Sequence, residues 1–222
     1  MIRACDQAMT RQDDLLPPLY LIADRATCKG RSLPVVLHEA IRGGVSLIQF
    51  REKQMDRGDH LKLAVQVRAV TSDSGIRLMI NSDVEAARSV GAEGVHLPAD
   101  RIREASAARD RLGSGALVGA SVHSAAELAI AEACNVDFVV FSPVFQPGSK
   151  SFDGELSGIE GLREAVGITG CPVYALGGVT PERTATCREA GAFGVAAMSG
   201  ILAAEEPALA AERYLEAWEK AG

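Results

Sequence analysis

The stretch VGAEGVHL, Val90 to Leu97, closes a helix on small, turn-forming residues and enters an apolar strand within a few positions. The same step recurs in RGGVSLIQ (42–49), CNVDFVVF (134–141) and AGAFGVAAM (190–198). A step repeated along the chain predicts a repeated unit of one strand and one helix. Eight short apolar or β-branched runs fill the strand role: LYLIAD (19–24), VSLIQF (45–50), RLMIN (77–81), GVHL (94–97), ALVGAS (116–121), DFVVFS (137–142), PVYALG (172–177) and GVAAMS (194–199). Between them lie helical patterns, such as Leu61, Ala64, Val65 and Ala69 on one face. Helix starts are predicted at Ser82, Ser124 and Ser157, each followed three residues later by Glu, and at Thr180 with Pro181 behind it. Eight units of about 25 residues predict an α/β protein, a single (β/α)8 TIM barrel over 19–222, with residues 1–18 a loosely ordered leader. A doubly wound sheet with fewer strands is the competing arrangement.

The composition narrows the function classes. Hydrophobic residues make up 47% and charged ones 23% of 222 residues, enough apolar content for one sizeable core. No apolar run approaches the roughly 20 residues of a membrane helix, and the first residues lack a signal peptide's apolar segment, which predicts a cytoplasmic protein without a membrane partner. A net charge of −6 argues against a nucleic-acid surface. Cys5, Cys28, Cys134, Cys171 and Cys187 are odd in number and hold no C-x-x-C pair, so they read as small apolar filler. A homo-oligomer stays open.

In a (β/α)8 barrel, ligands bind where the strands end, because the following loops supply variable groups on a rigid frame. Those ends are polar here. Period-two alternation through QFREK puts Gln49, Arg51 and Lys53 on one face, with Asn81, His96, Ser121 and His123 facing them from other strands. Alone, Arg51-Glu52-Lys53 also fits a solvated loop with its own ion pairs. The long loop SPVFQPGSKSFDGELSG (142–158) carries Lys150, which could swing over an anion. Strands seven and eight end in LGGVT and MSGIL, where Gly177, Gly178, Ser199 and Gly200 could cradle a phosphate with backbone N–H groups, or merely make tight turns.

With LIQFREK, IN, GVHL, SVHS, SPVF…K, LGGVTPE and AAMSGI in this order, the chain resembles the thiamine phosphate synthase superfamily from about Leu19 onward. The resemblance implies one of two activities. Synthases join hydroxymethylpyrimidine pyrophosphate to thiazole phosphate with Mg²⁺; TenI-type tautomerases aromatise the thiazole carboxylate phosphate and use no metal. Carried over, the synthase pattern makes Gln49, Arg51, Lys53, Asn81 and Lys150 pyrimidine and pyrophosphate contacts, puts Ser121 near the reacting groups, and surrounds the thiazole phosphate with Gly177, Gly178, Ser199 and Gly200. Two Mg²⁺ ligand positions of the synthases are Ser82 and Arg101 here, and Pro147 stands where a synthase normally has Thr. Asp83 and Asp100 each sit one position away, and two separate register shifts would be needed to restore a site.

HLP, SVHS and MSGI look more like the tautomerase branch, whereas REK is synthase-like. The leading expectation is therefore a metal-free thiazole tautomerase with no cofactor, in which His123 moves the proton. His96 is the second acid/base candidate or a satisfied core histidine. A Mg²⁺-dependent synthase is the alternative, and a non-catalytic phosphate-binding regulatory barrel is a third.

Overall fold

The computed structural model describes residues 16–72, 75–146 and 155–222. Eight parallel strands close a barrel in sequence order: β1 Leu19–Ala23, β2 Leu47–Phe50, β3 Arg77–Asn81, β4 Gly94–Leu97, β5 Leu117–Val122, β6 Phe138–Phe141, β7 Val173–Ala175 and β8 Gly194–Ala197. Around them run α1 Leu33–Arg42, α2 Arg57–Thr71, α3 Val84–Val90, α4 Ala105–Leu112, α5 Ala125–Ala133, α6 Gly158–Ile168, α7 Pro181–Glu189, the short α8 Ser199–Leu202 and α9 Pro207–Lys220. Short 3₁₀ segments, Arg25–Cys28 and Ala99–Glu104, follow β1 and β4. Every predicted strand is present, with ends moved by at most two residues. The doubly wound alternative is excluded because β8 pairs with β1, Leu19 opposite Val195 and Leu21 opposite Ala197.

Two cores follow from strand alternation. Leu19, Leu21 and Ala23 face outward and are sealed by the helices, as are Ile48, Leu78, Ile80 and Val95. Tyr20, Leu47, Met79, Phe138 and Tyr174 point inward and fill the barrel, as its packed interior requires. Their rings meet edge to face, Tyr20 to Phe138 at 5.3 Å and Phe138 to Tyr174 at 5.4 Å between centroids. Gly119 of β5 makes that layer fit: a Cβ there would lie 2.8 Å from His96 Nδ1 and would overlap the Phe138 ring.

Leu16 to Pro18, at the end of the expected leader, close the barrel floor. Leu16 is buried, Tyr174 Oη donates to the Pro17 carbonyl at 2.6 Å, and the Val195 amide donates to the Pro18 carbonyl at 2.8 Å.

The local expectations fare unevenly. In α2 the buried residues are Ala64, Val67 and Thr71, while Leu61 and Val65 are exposed; LKLAVQV is apolar at nearly every second position, so more than one face satisfied the pattern. Ser124 caps α5, its Oγ accepting from the Glu127 amide at 3.3 Å. Ser82 does not cap α3: Asp83 does, accepting from the Ala86 amide at 2.8 Å. Ser157 precedes α6 in helical backbone geometry, which aims its hydroxyl away from the first-turn amides, so it makes no capping bond. Cys28 and Cys187 are buried, Cys134 and Cys171 half-buried, all four as free thiols; Cys5 lies outside the described residues.

Candidate active site

The C-terminal mouth of the barrel holds a polar chamber of about 940 Å³. Gln49, Arg51 and Lys53 reach it from β2 and its loop, Asn81 from β3, Ser121 and His123 from β5 and its end, so six of the expected site residues share one cavity. Arg51 lies 3.7 Å from Asp24 as an ion pair, with its side chain about a quarter exposed. Glu52, also on the chamber wall, accepts from the Arg25 amide at 2.6 Å. All three residues of the loop REK line the chamber, and the carboxylate between the two cations also ties down the neighbouring loop.

Beneath the chamber floor four buried or half-buried side chains form a continuous hydrogen-bonded chain. Gln49 Nε2 donates to Tyr20 Oη at 3.0 Å, Tyr20 Oη meets His96 Nδ1 at 3.3 Å, and His96 Nε2 meets Ser121 Oγ at 3.0 Å. Burial, assisted by the charge of Arg51, pushes the His96 pKa down to about 3. His96 is thus a satisfied core histidine, and the acid/base candidacy passes to His123.

This burial has a measurable consequence. An unfolded His96 binds a proton near pH 6.5 and the folded one near pH 3, so between these values the unfolded state holds more protons. Stability contributed by neutral His96 is full above about pH 6.5 and is lost as the pH falls toward 3, at up to about 1.4 kcal/mol per pH unit. Urea unfolding of the wild type and of His96→Gln across this window should show a flatter pH slope in the variant. Equal slopes would mean that folding does not hold His96 neutral.

At β3 the polar stretch Asn81-Ser82-Asp83 makes a three-residue turn. Ser82 adopts left-handed backbone (φ 64°), the Asp83 amide bonds the Asn81 carbonyl at 2.8 Å, and Ser82 Oγ accepts from Asn81 Nδ2 at 3.0 Å. The turn leaves the Asn81 amide oxygen for the chamber and brings Asp83 to its wall together with Asp100. Arg101 does not line that chamber; it holds Glu104 at 2.6 and 2.8 Å and the Ser82 carbonyl at 3.1 Å.

A second chamber of about 550 Å³ opens beside the first, lined by Gly177, Gly178, Ser199 and Gly200 at the ends of β7 and β8. The carbonyls of Leu176, Gly177 and Gly178 are taken by the Val144 amide (2.9 Å), the Phe145 amide (2.9 Å) and Arg183 Nη1 (2.7 Å). In trans peptides the N–H lies opposite its carbonyl, so the amides of Gly177, Gly178 and Val179 are turned away from these partners. Gly177 and Gly178 have φ of 98° and 58°, and a Cβ on Gly178 would overlap the Gln146 carbonyl oxygen. Glycine is required at both positions.

His123, Ser142, Leu176 and Met198 line both chambers and form the partition between them. The His123 ring donates through Nδ1 to the Ser142 carbonyl at 2.7 Å, which leaves Nε2 as the acceptor nitrogen. Lys150 and Pro147 lie outside the described residues.

Comparison with known proteins decides among the folds that build such a mouth. The family model described as thiamine monophosphate synthase matches residues 19–201. The chain belongs to the thiamine monophosphate synthase family. A Geobacter sulfurreducens protein provisionally named a thiamine-phosphate synthase is 41% identical, covering 85% of this chain and 88% of its own. A thiamine-phosphate synthase of Natronomonas pharaonis is 36% identical over 90% of this chain and 94% of its own. Among solved structures, the thiamine phosphate pyrophosphorylase of Pyrococcus furiosus superimposes with a TM-score of 0.81 at 26% identity, covering 95% and 98% of the two chains. This member of the thiamine monophosphate synthase family is accordingly an enzyme of thiamine biosynthesis acting on small molecules. Among its described residues no helix is long and apolar enough to cross a membrane.

Two features of this thiamine monophosphate synthase family member were not anticipated from its sequence. Arg57 and His60, in the first turn of α2, also face the polar chamber. Their signal was available, since the first turn after a βα loop opens on the barrel mouth. Tyr20 was missed as a polar residue; a tyrosine at an inward strand position must find a partner for its hydroxyl, and that partner lies under the site.

Proposed function

We propose that this family member is a thiamine-phosphate synthase, joining hydroxymethylpyrimidine pyrophosphate to thiazole phosphate. The observation that carries the reading is the pair of adjoining chambers, one polar and presenting Arg51, Lys53 and Arg57, the other lined by glycines, separated only by His123, Ser142, Leu176 and Met198. Two anionic substrates meeting at one point need such a pair; a tautomerase has a single substrate to hold. In this reading the barrel over 19–222 carries the whole reaction. Gln49, Asn81 and Ser121 orient the pyrimidine, and Arg51 and Lys53 face the pyrophosphate, with Lys150 assigned to the same anion. Gly177, Gly178, Ser199 and Gly200 hold the thiazole phosphate. A bond forms from the thiazole nitrogen to the pyrimidine methylene carbon, and the carbon–oxygen bond to pyrophosphate breaks, its electron pair leaving with the oxygen. The chain's part is to hold the thiazole nitrogen, the methylene carbon and the leaving oxygen in line and to meet the leaving charge with fixed cations.

Mg²⁺ fits the donor set. Asp83 and Asp100 line the polar chamber, and a Mg²⁺ bound against phosphates needs only one or two protein carboxylates. Both stand near enough to Arg101 to help raise its pKa, behind the larger effect of its hydrogen bonds to Glu104. When bound, Mg²⁺ supplies charge neutralisation to the pyrophosphate. The carboxylate residues that the sequence displaces by one position thus line the same chamber, which supports the synthase ahead of the tautomerase expected from HLP, SVHS and MSGI. The test is to offer both substrates with and without Mg²⁺ and to measure thiamine phosphate and pyrophosphate released; no product in either condition would reject the reading.

One observation favours tautomerisation as a second reading: His123 presents an acceptor nitrogen at the partition. If that reading holds, the wild type aromatises thiazole carboxylate phosphate without metal, and His123→Ala lowers kcat by ~10²–10⁴-fold with product affinity nearly unchanged. A single-turnover assay decides, and an unaffected variant removes His123 from the chemistry.

A further inference from the structure

The chain of side chains under the polar chamber has only two self-consistent hydrogen-bond directions. A phenol carries one hydrogen, a neutral imidazole one N–H, and a hydroxyl one O–H, so fixing the direction at one link fixes it at all. Here Gln49 directs its amide nitrogen at Tyr20 Oη, 3.0 Å away. Tyr20, having accepted, gives its own hydrogen to His96 Nδ1, and the His96 proton must then sit on Nε2 and point at Ser121 Oγ.

From this we infer that Tyr20 is a positioning residue that sets the polarity of the substrate chamber: it makes Ser121 present a hydroxyl hydrogen and Gln49 an amide oxygen to the ligand. The reverse direction would offer the amide NH₂ from Gln49 and a lone pair from Ser121, which suits a ligand with the opposite pattern. The wire is rigid. Tyr20, Gln49 and His96 are all 2% exposed or less, they stand on β1, β2 and β4 with Ser121 on β5, and no described buried side-chain nitrogen or oxygen lacks a partner. It is also static, because burial raises the Tyr20 hydroxyl pKa and depresses that of His96, so neither ionises near neutral pH.

Resting on the synthase reading, the presented acceptor and donor match an aminopyrimidine, whose exocyclic amine donates beside a ring nitrogen that accepts. An oxo-pyrimidine, with the opposite edge, is disfavoured because the buried groups facing it would be left unpaired. Tyr20 thereby acts on specificity without touching the substrate.

The experiment has two arms on the full chain. Nitrogen-15 NMR of the histidine rings, with His96 assigned by comparison with His96→Gln, should find His96 protonated on Nε2 and bare on Nδ1 from about pH 5 to about pH 8. Tyr20→Phe should lose that fixed tautomer, raise KM for the pyrimidine pyrophosphate ~10-fold, leave kcat within about 3-fold, and narrow the preference for amino over oxo substrate. A wild-type His96 protonated on Nδ1 overturns the inference, as does a Tyr20→Phe protein with unchanged tautomer and KM. The wild-type tautomer is read without substrate. A protein that couples nothing would therefore reject the synthase reading, while an Nε2–H tautomer would still support the wire; a Tyr20→Phe variant that fails to fold leaves that readout intact.

Discussion

Arg51→Ala should lower kcat/KM for coupling by ~10²–10³-fold, mostly through kcat. The guanidinium stands at the mouth of β2, a quarter exposed, with Asp24 3.7 Å away as its ion-pair partner. That pair is loose enough for the planar fork to reach an anion, and the loop is steadied independently by the Arg51 amide on the Ala23 carbonyl at 2.9 Å and by Glu52 on the Arg25 amide. The variant should therefore fold normally. What it loses is a fixed positive charge where pyrophosphate departs, an interaction that strengthens as the carbon–oxygen bond breaks. Arg51→Lys should recover only part of the rate, since an ammonium cannot make the bidentate contact. Steady-state kinetics on the three proteins check this, and a variant affected only in KM would assign Arg51 to ground-state binding.

Gly178→Val should all but abolish thiazole phosphate binding, with the dissociation constant raised at least ~100-fold. Gly178 sits at φ 58°, where a β-branched residue is strained, and a Cβ there overlaps the Gln146 carbonyl oxygen and approaches the Phe145 Cβ at 2.9 Å. The β7–α7 loop must move to relieve this, and the Gly177 and Gly178 amides move with it. Because the strain is confined to a loop, the barrel should survive with a stability loss of about 1–3 kcal/mol. Titration calorimetry with thiazole phosphate, alongside a thermal melt, separates the two effects. Undiminished affinity in a folded variant would place the phosphate elsewhere.

The fold was legible because its signal is repeated. Eight strand runs, four of them entered by the same small-residue step, over-determine a closed barrel, and errors of one or two residues at strand ends do not change it. Single local choices were less legible. Ser82 and Asp83 are both good caps, and the sequence does not reveal that Ser82 takes left-handed backbone, which hands the cap to Asp83 and swings that residue to the chamber wall. The site residues on β2, β3 and β5 were readable because alternation fixes which side chains point inward. Tyr20 was hidden by its apolar surroundings, since LYLIAD reads as a plain core strand until its hydroxyl is asked for a partner. His96, inside the GVHL strand, already read as the weaker acid/base candidate than His123, and its burial shows it to be the neutral core imidazole.

The central claim is that two substrates meet across the His123–Ser142–Leu176–Met198 partition. The most direct measurement is a coupling assay on the purified wild type with hydroxymethylpyrimidine pyrophosphate and thiazole phosphate, with Mg²⁺ and with a chelator in its place. Stoichiometric thiamine phosphate and pyrophosphate, formed with Mg²⁺ and suppressed by the chelator, is the result this account predicts; binding of both substrates with no product under either condition would contradict it.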